Sequence, residues 1–155
     1  MGPGRSAPGR ARARRSSGLS PVCYLDSSAL TKLVIEEAES EATRLFVRGA
    51  RLVSSELVVT ELPRAIRHKA AGDRIDLASG LGKADSLLEK LHLHPSRRLT
   101  LSRAGRLFEP HLRSLDAIHV MTAIDLRPID AFVTHDHRQA AAARGAGLPT
   151  VSPGA

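Results

Sequence analysis

VCYLDSSALTKLVIEE, residues 22–37, is the stretch that decides the fold. Val22 to Leu25 is a short apolar run; Asp26 ends it, and from Ser27 the apolar positions take up helical spacing through about Glu36. The order is strand, acid, helix. It returns near the other end of the chain, where Ala131 to Thr134 reads as a strand and Asp136 to Arg144 as a helix, again with an acid at the junction.

Between these two units the pattern keeps alternating. A helix is expected from Ala38 to Arg48 with Leu45 and Phe46 turned inward, and Gly49 suits its C-terminal stop. Arg51 to Ser54 reads as a strand, and Ser55 as the N-cap of a helix running through Lys69 and closed by Gly72. Pro63 inside that segment is expected to bend or break it. Asp73 to Leu91 reads as helix despite Gly80 and Gly82, Leu91 to His94 as a marginal strand, and Ser96 to Leu107 as helix. Ser114 to Ile124 is a strongly apolar helix, and Thr150 to Val151 a terminal strand. Helices that alternate with short strands, joined by connections long enough for crossovers, imply an α/β protein: a short, mostly parallel central sheet covered by helices on both faces, a three-layer α/β/α sandwich.

A chain of 155 residues holds one ordinary domain, expected here over residues 22–153. Residues 1–21 carry five arginines and no acid among Gly, Pro and Ser, a composition that cannot bury enough surface to offset the entropy of ordering. They read as a disordered basic extension, either an arm for RNA phosphates or a segment without a role. Removing them leaves 18 basic against 16 acidic groups, so most of the formal +7 belongs to the extension. The charge supports a polyanionic partner without identifying one. Aromatic residues make up only 3%, which argues against a base-stacking platform. The single cysteine, Cys23, rules out an internal disulfide and suits a reducing cytosol. No apolar run approaches the roughly 20 residues of a membrane span, and the Arg-rich start lacks the apolar stretch of a secretory signal. The expectation is a cytoplasmic protein with no membrane association.

Most acids read as solvated helix-face charges, among them Glu36, Glu37, Glu39, Glu41, Asp85 and Glu89. Four do not. Glu61 falls on the apolar stripe of its helix with Leu57, Val58, Leu62 and Ala65, and Asp116 opens the helix SLDAIHVMTAI with apolar neighbours on nearly every side. A buried carboxylate without a partner costs several kcal/mol or is neutralised, so such a group has a cation, a donor or a catalytic task. Asp26 and Asp136 each lie between a strand and a helix, where the carboxyl ends of parallel strands form a ligand crevice. Each acid alone also fits a structural role: Asp26 and Asp136 as N-caps, Asp116 as a first-turn acid, Glu61 as the partner of Arg64 or Arg67. If the two strands are neighbours, one divalent cation explains all four, and oxygen-only ligation selects Mg²⁺ or Mn²⁺ over zinc.

YLDSSAL with Asp26, VVTELPRA with Glu61, LRSLDAIHVMTA with Asp116 and DAFVTHDHRQAAAARGAGLPTVSP with Asp136 resemble, in order and spacing, the four acidic motifs of PIN-domain nucleases of the VapC type. The resemblance covers residues 22–153. It implies a metal-dependent endoribonuclease, the toxin of a type II toxin–antitoxin pair, with Mg²⁺ as cofactor and Mn²⁺ able to substitute. Asp26 and Asp116 would be direct metal ligands, Glu61 and Asp136 would complete the acidic cluster, and Ser27 and Thr134 would be the hydroxyl residues beside these acids. It further implies RNA as substrate, an antitoxin as protein partner and a homodimer.

Other readings of the same residues carry less. His92 with His94, or His135 with His137, are spaced like ligand pairs, but no Cys or further His completes a zinc pattern. His119 is a core histidine or a donor behind Asp116. Arg64, Arg67, His68 and Lys69 are either RNA contacts or a solvated helix face. A non-catalytic module whose acidic pocket receives a partner's basic side chain is the alternative from another class. A doubly wound phosphatase would need a second acid at residue 28, which is Ser28.

Overall fold

Alternation along the central strands sets two cores. Cys23 and Leu25 of β1 (Val22–Leu25) point to one face of the sheet with Ala131 and Val133 of β4 (Ala131–Val133), while Tyr24 and Phe132 point to the other. The computed structural model describes residues 18–72 and 75–155. The basic extension expected over residues 1–21 therefore lies, for residues 1–17, outside the described residues.

Among the described residues five strands form one sheet in the order β3-β2-β1-β4-β5, with every pairing parallel. β2 (Arg51–Ser55) and β3 (His92–His94) extend it on one side of β1; β4 and β5 (Thr150–Val151) extend it on the other. The chain thus reverses direction across the sheet between β1 and β4, the place where an open parallel sheet offers a crevice.

On the face of Cys23 and Leu25 the core is closed by α1 (Ser27–Val34), α3 (Val58–Gly72) and α4 (Leu77–Leu88), with Leu30, Leu62, Ile66 and Ala84 buried. α2 (Ser40–Phe46) packs beside α1. On the face of Tyr24 and Phe132 the cover is α6 (Ser114–Asp125) and α7 (His137–Gly145), and α5 (Arg98–Ala104) packs on α6. Together they form the expected three-layer sandwich. Among the described residues no helix is long and apolar enough to cross a membrane.

The structure departs from the pattern reading in instructive places. Leu45 is 52% exposed, because the buried stripe of α2 begins at Ser40 and runs through Thr43 to Val47. Two hydroxyls enter the interior by bonding to carbonyls: Ser40 Oγ to Ile35 O at 2.9 Å and Thr43 Oγ1 to Glu39 O at 2.8 Å. Ser55 ends β2 and the following helix starts at Val58, yet its Oγ still accepts from Leu57 N at 3.3 Å. Pro63 does not break α3. The carbonyl it deprives of a helical partner is that of Val59, a residue 49% exposed.

Gly49 takes φ +75° after α2, with nothing within 4 Å of where a Cβ would stand. The penalty of a side chain there is backbone strain alone. Gly49→Ala is expected to lower unfolding free energy by about 1 kcal/mol, read as a lower urea midpoint at unchanged slope; an unaltered midpoint would show that this turn relaxes out of the left-handed region.

Candidate active site

β1 and β4 run side by side with Leu25 opposite Val133, so the residues that follow them, Asp26 and Thr134, meet at the carboxyl edge of the sheet. Asp26 is the N-cap of α1, accepting from Ala29 N at 2.9 Å through Oδ1. Its Oδ2 accepts from Thr134 Oγ1 at 2.7 Å. Ser28 Oγ adds a third donated proton, 2.7 Å from Oδ1 and 2.9 Å from Oδ2, and itself accepts from His135 N at 2.8 Å. The hydroxyl that meets Asp26 is thus that of Ser28, where the sequence pointed to Ser27. Ser27 faces along the helix and gives its carbonyl to Thr31 Oγ1.

Asp26 is only 3% exposed. Burial pushes its pKa up, while the facing His119, the Thr134 hydroxyl, the Ala29 amide and Ser28 pull it down. Three donors orient this carboxylate, but no Lys or Arg forms an ion pair with it among the described residues.

Asp136 caps α7 through a bond from Gln139 N to Oδ1 at 2.9 Å, and its own N–H donates to Thr134 Oγ1 at 3.1 Å. Thr134 therefore joins the two acids. Asp116 lies half-buried in the first turn of α6, and Gln139 Nε2 reaches toward its carbonyl at 3.4 Å. Burial first, then repulsion by Asp136, raises the Asp116 pKa; Glu61 adds further repulsion, with His119 and Arg113 opposing. Glu61, in the first turn of α3, completes the group.

The partner of Glu61 is neither Arg64 nor Arg67 but His119 of α6, Nε2 to Oε2 at 2.7 Å. His119 is 1% exposed and its Nδ1 stands 2.7 Å from Tyr24 Oη. It is a packed core histidine and also a donor into the acidic group, though behind Glu61 and not behind Asp116. Lys69 is drawn to Glu37, which removes it from the basic face expected beside Glu61; Arg64 and Arg67 remain exposed.

The four acids expected from the sequence are thus brought to one edge of the sheet, with Thr134 beside them. Ser28, Gln139 and Tyr24 were not read as part of the site. The signal for Tyr24 was present: a phenol on a strand otherwise apolar needs a partner for its O–H. Among the described residues no three carboxylate, imidazole or thiol groups stand close enough to enclose a metal ion by themselves.

Comparison with known proteins agrees with this architecture. Residues 23–145 match the PIN domain family. The chain is 35% identical over 140 residues to Ribonuclease VapC47 of Mycobacterium tuberculosis, covering 86% of this chain and 98% of that one. It is 36% identical over 139 residues to Ribonuclease VapC35 of the same organism, with the same coverage. Among solved structures, M. tuberculosis VapC20, a sarcin–ricin loop cleaving toxin, superposes with a TM-score of 0.64 at 16% identity, covering 84% of this chain and 99% of that one. VapBC2 from Rickettsia felis, bound to a DNA fragment from its promoter, gives 0.62 at 13% identity over 85% and 98%. These two share the fold.

The raised pKa of Asp116 means that its ionised form opposes folding. Below the ordinary carboxylate pKa of about 3.9 both folded and unfolded chains are protonated there and the penalty is absent; it grows as pH rises through the raised folded value. Asp116→Asn is therefore expected to raise the thermal midpoint of metal-free protein at pH 7, with the gain gone below about pH 3.5. A variant less stable than the parent at neutral pH would contradict this reading of the acid.

Proposed function

We propose, from the premise that this chain belongs to the PIN-domain family and within it to the VapC ribonucleases, that it is the ribonuclease toxin of a toxin–antitoxin pair. It cuts RNA at the acidic group of Asp26, Glu61, Asp116 and Asp136 with the help of Mg²⁺, for which Mn²⁺ substitutes. The observation that carries the reading is Asp26: a carboxylate 3% exposed, oriented by three donated protons, without a cationic side chain bonded to it among the described residues, at the switch point of a parallel sheet.

The donor set fits such an ion. Both ring nitrogens of His119 are engaged by Tyr24 and Glu61, and Cys23 is buried in the core on the opposite face of β1 from Tyr24, so neither offers nitrogen or sulfur to the acidic group, whose four acids offer oxygen. Oxygen donors suit a hard divalent cation, and Mg²⁺ keeps several waters in its shell, which accords with acids that do not enclose it. When bound, the ion supplies a Lewis acid that activates water and offsets charge on the scissile phosphate.

Asp26 and Asp116 would hold the ion directly, with Glu61 and Asp136 completing the set. Of the roughly four acceptor positions of a carboxylate, Asp26 has given three to Ala29, Ser28 and Thr134, so one remains to face the crevice. Thr134 and Ser28 keep that position aimed. In the reaction a bond forms from a water oxygen to phosphorus while the bond to the 3′ oxygen breaks, leaving a 5′-phosphate and a 3′-hydroxyl. One carboxylate of the group takes the water proton, and the departing 3′ oxygen takes a proton from solvent to become the hydroxyl.

The same membership supports the rest of the proposal: an RNA whose single-stranded loop presents the scissile bond, an antitoxin that restrains the enzyme, a second copy of the chain in a homodimer, and a cytoplasmic setting. Incubation of antitoxin-free protein with total RNA is expected to give discrete cuts that need Mg²⁺ or Mn²⁺, stop with EDTA, and disappear in Asp116→Asn. Folded protein that binds metal yet leaves the RNA intact would favour a regulatory module with the same fold.

A further inference from the structure

His119 sits between two groups that fix its chemistry. The Glu61 carboxylate can only accept, so the His119 nitrogen 2.7 Å from it, Nε2, carries the proton. With the imidazole neutral, Nδ1 is then an acceptor, and the Tyr24 O–H, 2.7 Å away, donates to it. Tyr24 cannot turn aside: it is fully buried, its ring stacks on Phe132 at 5.2 Å and 6° and meets His119 edge-on at 5.9 Å and 77°. The relay therefore has one direction, from phenol to imidazole to carboxylate.

The relay also connects the layers. Tyr24 is two residues before Asp26 on β1 and His119 one helical turn after Asp116 on α6, whereas Glu61 comes from α3 on the opposite face of the sheet. Glu61 is 16% exposed at its side chain and gives Oε2 to the imidazole, which leaves Oε1 for the acidic group. On the reading of that group as a metal site, we propose that His119 is a positioning residue that holds the Glu61 carboxylate toward the ion, and that Tyr24 sets the tautomer with which it does so. Neither residue touches substrate or metal. Groups that orient a metal's ligands in this way change affinity or activity by about 10- to 100-fold when removed.

The test uses the full chain freed of antitoxin, with Tyr24→Phe as the main variant because it deletes only the hydroxyl. Two readouts are Mn²⁺ affinity by calorimetry and kcat and KM on one RNA oligonucleotide. Tyr24→Phe is expected to weaken Mn²⁺ binding and lower kcat by about 10-fold with KM unchanged, and to do nothing further in a Glu61→Gln background, since it acts through that carboxylate. His119→Gln, which keeps an N–H for Glu61, is expected to retain more of both than His119→Ala.

Parental affinity and kcat in Tyr24→Phe, or losses that add in full to those of Glu61→Gln, would overturn the proposal. A third readout is independent of metal and cleavage: ¹⁵N spectra of the parent should show His119 protonated at Nε2, and protonation at Nδ1 instead would overturn the relay itself. A parent chain with the Nε2 tautomer that neither binds Mn²⁺ nor cuts RNA would sink the ribonuclease reading, and with it the proposed purpose of the relay.

Discussion

The structure turns on a carboxylate buried at the junction of the two central strands. Asp26 is removed from water by the packing of β1 against β4, and the fold answers with neutral donors from three places: the first turn of α1, the Ser28 hydroxyl and Thr134 beyond β4. Neutral hydrogen bonds orient a charge but do not cancel it. On the proposed reading, that uncancelled charge and the neighbouring acids are what a divalent cation would meet in the crevice. Burial first, then repulsion by Asp136 and Glu61, raises the Asp116 pKa, so its ionised form costs stability in the folded chain.

The rest of the architecture serves that junction. Parallel strand order brings Asp26 and Thr134 together without any sequence proximity. N-capping gives Asp26 and Asp136 fixed directions, so the expected structural role of these two acids is met: each caps a helix through Oδ1, and Asp26 also accepts from Thr134 through Oδ2. Glu61 and His119 reach across the sheet edge from opposite helix layers and tie them where the acids repel most. Away from the site the ion pairs are ordinary. Lys32 with Glu37 and Glu39, and Arg44 with Glu36, organise the surface around α1 and α2.

Local signals were legible where one physical cause dominated. The runs at Val22–Leu25 and Ala131–Val133, each followed by a capping acid, announce a strand and a turn into a helix, and Gly49 announces its left-handed turn. Of the helix expected from Asp73 to Leu91, residues 73 and 74 lie outside the described residues; in the rest α4 covers Leu77–Leu88, capped by Asp76. Leu45 was misread because Ser40 and Thr43 took the buried side of α2 by bonding to carbonyls, which hydropathy cannot foresee. Side-chain partners were less legible than positions. Charge complementarity suggested Arg64 or Arg67 for Glu61, yet the partner is 58 residues away in sequence. Only the strand order and the crossing of α3 over the sheet edge create that neighbour. Ser28 in place of Ser27 is a difference of one residue in rotation about a helix start, below what spacing alone resolves.

The central claim, that buried carboxylates at the switch point of the sheet form a seat for a divalent cation, is tested most directly by anomalous diffraction from crystals of the antitoxin-free protein soaked in Mn²⁺. The account predicts a peak at the carboxyl edge between Asp26 and Asp116, flanked by Glu61 and Asp136, and its loss in Asp26→Asn. A map without density there at saturating Mn²⁺, or with the ion held only by surface acids such as Glu36, would contradict it.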